Sequence, residues 1–133
     1  MSAKPETTFY TSVHKHLPPL SELHREKMAN PYRGGTADHW YSGRKADLWI
    51  EWKFIKLPTR DDTVIRIGLS ELQRDWLRRR RLEGRDVWVV VGCKEGAVVM
   101  DRMAWEVPWK THVFRANLQT RQSVAAAIRD HCL

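Results

Sequence analysis

Asp38, Glu51 and Lys53 are the residues whose types and spacing point most directly to chemistry, in the pattern Asp38 … Glu51-Trp52-Lys53. The stretch that carries the last two, Ala46 to Ile55, has the apolar and aromatic content of a buried strand. A charge inside such a strand must be paired or bound to a metal to be tolerated. Alternation puts Asp47, Trp49, Glu51 and Lys53 on one face and Leu48, Ile50, Trp52 and Phe54 on the other. With Ser42-Gly43-Arg44 as the turn of a hairpin, Asp38 folds back roughly opposite Glu51. Two carboxylates and an ammonium then converge at one point. Hard oxygen ligands of this kind suit Mg²⁺, which keeps several waters and takes a substrate phosphate among its ligands. Asp47 is the rival acid. Four residues along a strand span about 13 Å, too far for Asp47 and Glu51 to share one metal directly.

These residues need a frame. Phe9, Tyr10, Val13 and Leu17 have helical spacing, which predicts a helix over 6–17 that Pro18-Pro19 ends. Residues 21–28 read equally as helix or short strand. The hairpin spans roughly 36–55, and a polar loop, expected to be mobile, follows over 56–68 with a short extended piece at 64–67. Ser70 caps a helix over 70–82, with Gln73 as its capping-box partner and Gly84 as its stop. Leu69, Leu72, Trp76 and Leu77 form the apolar stripe of that helix. Val87 to Val91 is an uninterrupted apolar run, as in a central strand covered on both faces. Residues 97–100 read as its neighbour, and 120–131 as a closing helix. The order is helix, strand, hairpin, helix, two strands, helix, an α/β layer fold around a mixed central sheet.

Gly35-Thr36-Ala37-Asp38, the hairpin, Trp49-Ile50-Glu51-Trp52-Lys53, and then Leu69-Ser70-Glu71-Leu72-Gln73 together resemble the PD-(D/E)xK nucleases. Within them the chain looks most like the small stand-alone virus-type VRR-NUC branch. The resemblance covers about residues 6 to 101 and favours a strand near 23–28. It departs at one point: the family's proline before the aspartate is Ala37 here, which loosens the backbone without removing the ligand. The resemblance implies a restriction-endonuclease-like core and a metal-dependent phosphodiester hydrolase acting on DNA. Asp38, Glu51 and the backbone carbonyl of Trp52 would hold Mg²⁺, with Mn²⁺ able to substitute. Lys53 would orient the attacking water or neutralise charge on the phosphoryl oxygens. Gln73 falls where the family has a glutamine next to the site, and Glu6 is similar to its first-helix acid; Glu22 and Glu26 are weaker candidates. Stand-alone members resemble phage-type resolvases of branched DNA, acting as homodimers whose two-fold axis sets two sites on a symmetric junction.

Each residue also has a plainer reading. Glu51 and Lys53 suit a paired surface strand face, Asp38 a loop turn, Gln73 the capping box alone, and Glu6 any exposed helix start. The equally apolar opposite face of the Glu51 strand weighs against the first of these. A length of 133 residues suits one domain with a frayed tail over 1–5. The net charge of +7 and pI near 9.8 favour a polyanionic partner. Arg33, Arg44, Lys56, Arg74, Arg78 and Arg81 are the candidate DNA contacts, although a run such as Arg78 to Arg81 is also what a solvated helix face looks like. Of seven tryptophans some belong in the core, and others would form an interface or stack on bases. Cys93 and Cys132 form neither a metal spacing nor a disulfide framework, and His14 and His16 have no partner pair for zinc. No apolar run reaches about 20 residues and no signal pattern begins the chain, so no membrane contact and a cytoplasmic location are expected. Two other readings stand beside the branched-DNA nuclease: a non-catalytic DNA-binding module on the same fold, and a restriction- or mismatch-type nicking enzyme.

Overall fold

Val87–Cys93 is buried at every position, and the sheet is organised around it. The computed structural model describes residues 4–28 and 34–133. In chain order the elements are α1 (Pro5–His14), β1 (His24–Lys27), β2 (His39–Ser42), β3 (Asp47–Phe54), α2 (Glu71–Leu82), β4 (Val87–Cys93), β5 (Gly96–Met100), a 3₁₀ turn (Ala104–Glu106), α3 (Thr111–Ala116) and α4 (Arg121–Cys132). The five strands lie in the order β1-β2-β3-β4-β5. Only β3 and β4 run parallel; the other neighbours are antiparallel. A parallel pair needs a crossover, and the 55–86 segment with α2 supplies it. The mixed α/β layer fold expected from the pattern is what forms.

The alternation of β3 and β4 splits the core in two. Leu48, Ile50, Trp52, Trp88 and Val90 face α1 and α4, where they meet Phe9, Val13, Val124 and Ile128. Val87, Val89 and Val91 face the other way and meet Leu77 of α2, Trp105 and Phe114. Helix α1 packs so closely that a Cβ on Gly92 would sit 2.6 Å from the Phe9 ring. Cys93 and Cys132 are free and buried. Among the described residues no helix is long and apolar enough to cross a membrane.

Four details differ from the sequence pattern. Helix α1 stops at His14, and residues 15–17 close it with bonds from His16 N to Val13 O and from Leu17 N to His14 O. The prolines at 18 and 19 therefore act from a distance. Leu72 does not join the apolar stripe: it is 61% exposed, and the buried side of α2 is Leu77 with Trp76 beside it. The 3₁₀ turn and α3 are additional, because six residues of α3 carry too short a pattern to be read. Tertiary bonds hold that region instead. Thr111 donates its N–H and its hydroxyl to Thr63 O at 2.9 and 2.7 Å, and Ile65 N–H donates to Trp109 O at 2.7 Å. These same bonds tie down the 56–68 segment, in which Ile65 is buried.

Candidate active site

Strand β3 turns Glu51 and Lys53 to the α2 face of the sheet, as alternation requires. Glu51 is 2% exposed. Strand β2 pairs His39 with Ile50, so the residue before it, Asp38, arrives beside Glu51. Its Oδ2 accepts a 2.9 Å hydrogen bond from the Trp52 N–H. The amides of Trp49 and Ile55 point to β4, where they donate to Asp86 O and Gly92 O. Trp52, an odd number of residues from both, turns its own amide to the β2 edge, and its carbonyl shares that edge. Asp38, Glu51 and the Trp52 carbonyl thus come together at the point where β2 begins.

The carboxyl of Glu51 is crowded with negative charge. Its pKa is pushed up from 4.5 to about 9, first by burial and next by the charge of Asp38. Lys53 opposes the shift, while a hydrogen bond with Asp38 and the charge of Glu6 add to it. The Lys53 ammonium stands 3.7 Å from Glu51 Oε2. Gln73 Nε2 donates to that same oxygen at 3.1 Å. Glu51 Oε1 is buried, and no donor among the described residues reaches it. A buried carboxylate oxygen without a donor is costly unless another group completes it.

Gln73 does two jobs with one side chain. Its Oε1 accepts from Ser70 N–H at 3.0 Å and closes the capping box, while its Nε2 reaches Glu51. One side chain thus closes the cap and touches the Glu51 carboxyl. A glutamate here would keep the cap but put a third carboxylate against the other two.

The reverse face of the sheet braces the site. Trp52 Nε1 donates to the Tyr41 hydroxyl at 3.2 Å, which leaves the phenolic proton for His14 Nε2, 2.7 Å away. That bond requires a neutral His14, and burial holds its pKa down at about 3. His39, against Tyr10 and His14, is held down at about 4 by burial, with the charges of Lys27 and Arg25 adding to it.

The expected DNA contacts are scattered. Arg44 and Lys56 are exposed beyond opposite ends of β3. Arg74 bonds Glu106 at 2.8 Å, and Arg78 bonds Asp75 at 3.3 Å. Arg81 lines a cleft of about 250 Å³ with Asp86, Asp101 and His131. Arg33 lies outside the described residues. Asp47 is 3.1 and 2.6 Å from the Trp40 and Ser42 donors that bond to it, so it closes the hairpin rather than joining Asp38. Trp40, Trp49 and Trp76 gather on the site's face, a grouping the sequence pattern did not single out, although cross-strand pairing of Trp40 with Trp49 was the available signal.

No protein-family model matches the chain, and no curated protein does. A solved structure does match: the Holliday junction resolvase Hjc of the archaeal hyperthermophile Archaeoglobus fulgidus. The likeness spans 92% of this chain and 98% of that one, with a TM-score of 0.57 and 14% identity. The chain has the resolvase fold. Its five strands are flanked by helices, and the Asp38–Glu51–Lys53 group lies at the point where β2 begins.

The donors suit a divalent cation with few protein ligands. Among the described residues no three His, Cys, Asp or Glu side chains cluster as metal ligands. Two carboxylates and a carbonyl match an ion that keeps its waters, as Mg²⁺ does, better than zinc, which takes a closed nitrogen and sulfur set. A Glu51 Oε1 without a donor among the described residues, and an acid pair that Lys53 compensates only in part, are what such an ion would satisfy.

Proposed function

We propose that this chain is a divalent-cation-dependent DNA endonuclease of the virus-type VRR-NUC kind, cutting branched DNA in the manner of a Holliday junction resolvase. One observation carries the reading: two acids are pressed together in a buried site, with a carboxyl oxygen that no donor among the described residues reaches, on a resolvase fold. Holding two acids against each other out of water is expensive without a use.

Asp38, Glu51 and the Trp52 carbonyl would hold Mg²⁺, or Mn²⁺ in its place, with Glu6 at the margin as a further acid. The bound cation supplies Lewis acidity, lowering the pKa of water and stabilising charge at the leaving oxygen. Lys53 sits beside Glu51 Oε2 and faces the same phosphate, where its ammonium counters charge that grows on the phosphoryl oxygens. Gln73 holds the Glu51 carboxylate in orientation through its amide. The Trp52 N–H fixes the other acid, Asp38, from the backbone. Duplex arms would be held by the basic surface, with Arg78 and Arg81 among the contacts, and a homodimer would supply two such sites to a four-way junction.

The test compares four-way-junction, nicked and linear DNA with Mg²⁺, Mn²⁺ or EDTA, using wild type and Glu51→Gln. Metal-dependent cutting of the junction, lost in the variant, is the expected result. Tight metal-independent binding with no cutting in any ion would instead make the chain a non-catalytic binding module. Equal cutting of all three substrates would make it a general nicking enzyme.

A further inference from the structure

Helix α2 packs over β4, while α1 and α4 occupy the opposite side of the sheet. Trp40 of β2 is paired directly with Trp49 of β3, and their rings stack at 6.1 Å and 25°. Trp76 of α2 meets Trp49 edge-on at 5.5 Å, and the Arg80 guanidinium lies 5.7 Å from the Trp76 ring. His24 of β1 extends the row at the other end, 5.3 Å from Trp40. All three indoles are only half-buried, whereas Trp52, Trp88 and Trp105 are in the core. A groove of about 320 Å³ opens at the α2 end of the row, lined by Gly34, Thr36, Leu72, Trp76, Arg79 and Arg80 among others. Arg79 is 66% exposed and pairs with Asp75 at 3.1 Å; Arg80 pairs with Glu83 at 3.2 Å, while its Nε is buried with no acceptor among the described residues.

Trp49 and Glu51 share one face of one strand, two residues or about 7 Å apart. Successive bases in a stacked strand are about 3.4 Å apart. Bases one or two steps from a phosphate at Glu51 and Lys53 therefore come level with the indoles, and paired bases have no free face to offer them. Stacking on aromatic side chains is sequence-tolerant because every base has a π-face.

Building on the nuclease reading, we infer that the Trp40–Trp49–Trp76 row is a stacking surface for unpaired bases beside the scissile phosphate, with Arg79 and Arg80 taking the adjoining backbone. The substrate class it selects is DNA opened at a branch or bubble, and the selection is made by ring faces rather than by base edges. The occupant is nucleic acid and not a second copy of the chain, because Arg79 and Arg80 line the α2 end of the row alongside Asp75, and two copies of a protein with a net charge of +7 repel each other.

Binding in EDTA tests this without any cleavage. The probes are a fully paired duplex and the same duplex with a short thymine bubble. Wild type should favour the bubble by roughly tenfold or more, the scale of stacking one base on an aromatic ring. Trp40→Leu and Trp76→Leu should lose that preference while holding duplex affinity within about twofold, and Trp40→Phe should keep it. Single-stranded oligothymidylate should also quench the intrinsic tryptophan fluorescence of unaltered protein more than duplex does, which decides the matter if a leucine variant does not fold. A bubble preference that survives in folded leucine variants, or no preference and no quenching in wild type, overturns the inference. So does a dimer that dissociates on Trp40→Leu substitution, which would give the row to a protein partner. Bubble preference in a protein that cuts nothing in Mg²⁺ or Mn²⁺ would overturn the nuclease reading alone.

Discussion

Glu51→Gln should make the metal-free protein more stable, although it removes the group on which the proposed chemistry depends. The Glu51 pKa is raised from 4.5 to about 9, so the folded state binds its proton more tightly than the unfolded chain does. Its contribution is therefore fully present below pH 4.5 and is lost as pH rises toward 9. Each pH unit in that window costs about 1.4 kcal/mol, which accumulates to about 3 kcal/mol by pH 7. Glutamine keeps the shape and an oxygen for Gln73 Nε2, and its amide supplies a donor next to Asp38. It has no charge to lose. Urea unfolding in EDTA at several pH values should show the variant ahead of wild type by a margin that grows from near zero at pH 4.5. Saturating Mg²⁺ should then stabilise wild type and leave the variant unmoved, since only a folded site that binds the ion gains from it. A variant less stable than wild type at pH 8 in EDTA, or a margin that does not change with pH, would refute the argument that Lys53 compensates Glu51 only in part.

Acid should act in the opposite sense through His14 and His39, whose pKa values are held at about 3 and about 4. Neutral in the fold and protonated when unfolded, they cost stability as pH falls below 6.5, so metal-free wild type should be most stable near pH 6.5 in the same unfolding series. Lys53→Ala should lower single-turnover cleavage by roughly 100-fold or more, the scale of one well-placed electrostatic donor. Gel-shift affinity on the same junction should barely change; affinity falling in step with rate would make Lys53 a phosphate anchor. Asp38→Asn should abolish cutting, whereas Asp47→Asn should retain most of it, because Asp47 serves the hairpin through Trp40 and Ser42. The reverse pattern in a nicking assay would exchange the two acids. Changing Arg78 and Arg81 to Ala should make the fall of DNA affinity with salt shallower, by about 0.9 in the log–log slope for each duplex phosphate that is no longer neutralised, and an unchanged slope would assign both to solvent.

What the chain alone determined is what depends on neighbours a few residues apart. Period-two alternation puts Glu51 and Lys53 on one face of β3, and Ser70 with Gln73 starts α2, because pleat and capping box are local geometry. The hairpin turn brings Asp38 back to Glu51 for the same reason, as the Trp52–Asp38 bond records. Tertiary structure decided the rest. That Gln73 also reaches Glu51 follows from the crossover that lays the start of α2 beside β3, which no spacing within α2 encodes. Leu72 looks apolar enough for the core, yet the side of α2 that meets β4 is set by how the helix is rotated onto the sheet. Helix α3 is too short to hold itself and exists through bonds from Thr111 and His112 to the 56–68 segment. The Glu51 oxygen that no described donor reaches and the arrival of Trp76 beside Trp49 belong to that second class: each is a relation between residues far apart in sequence, created when α2 is laid on the sheet.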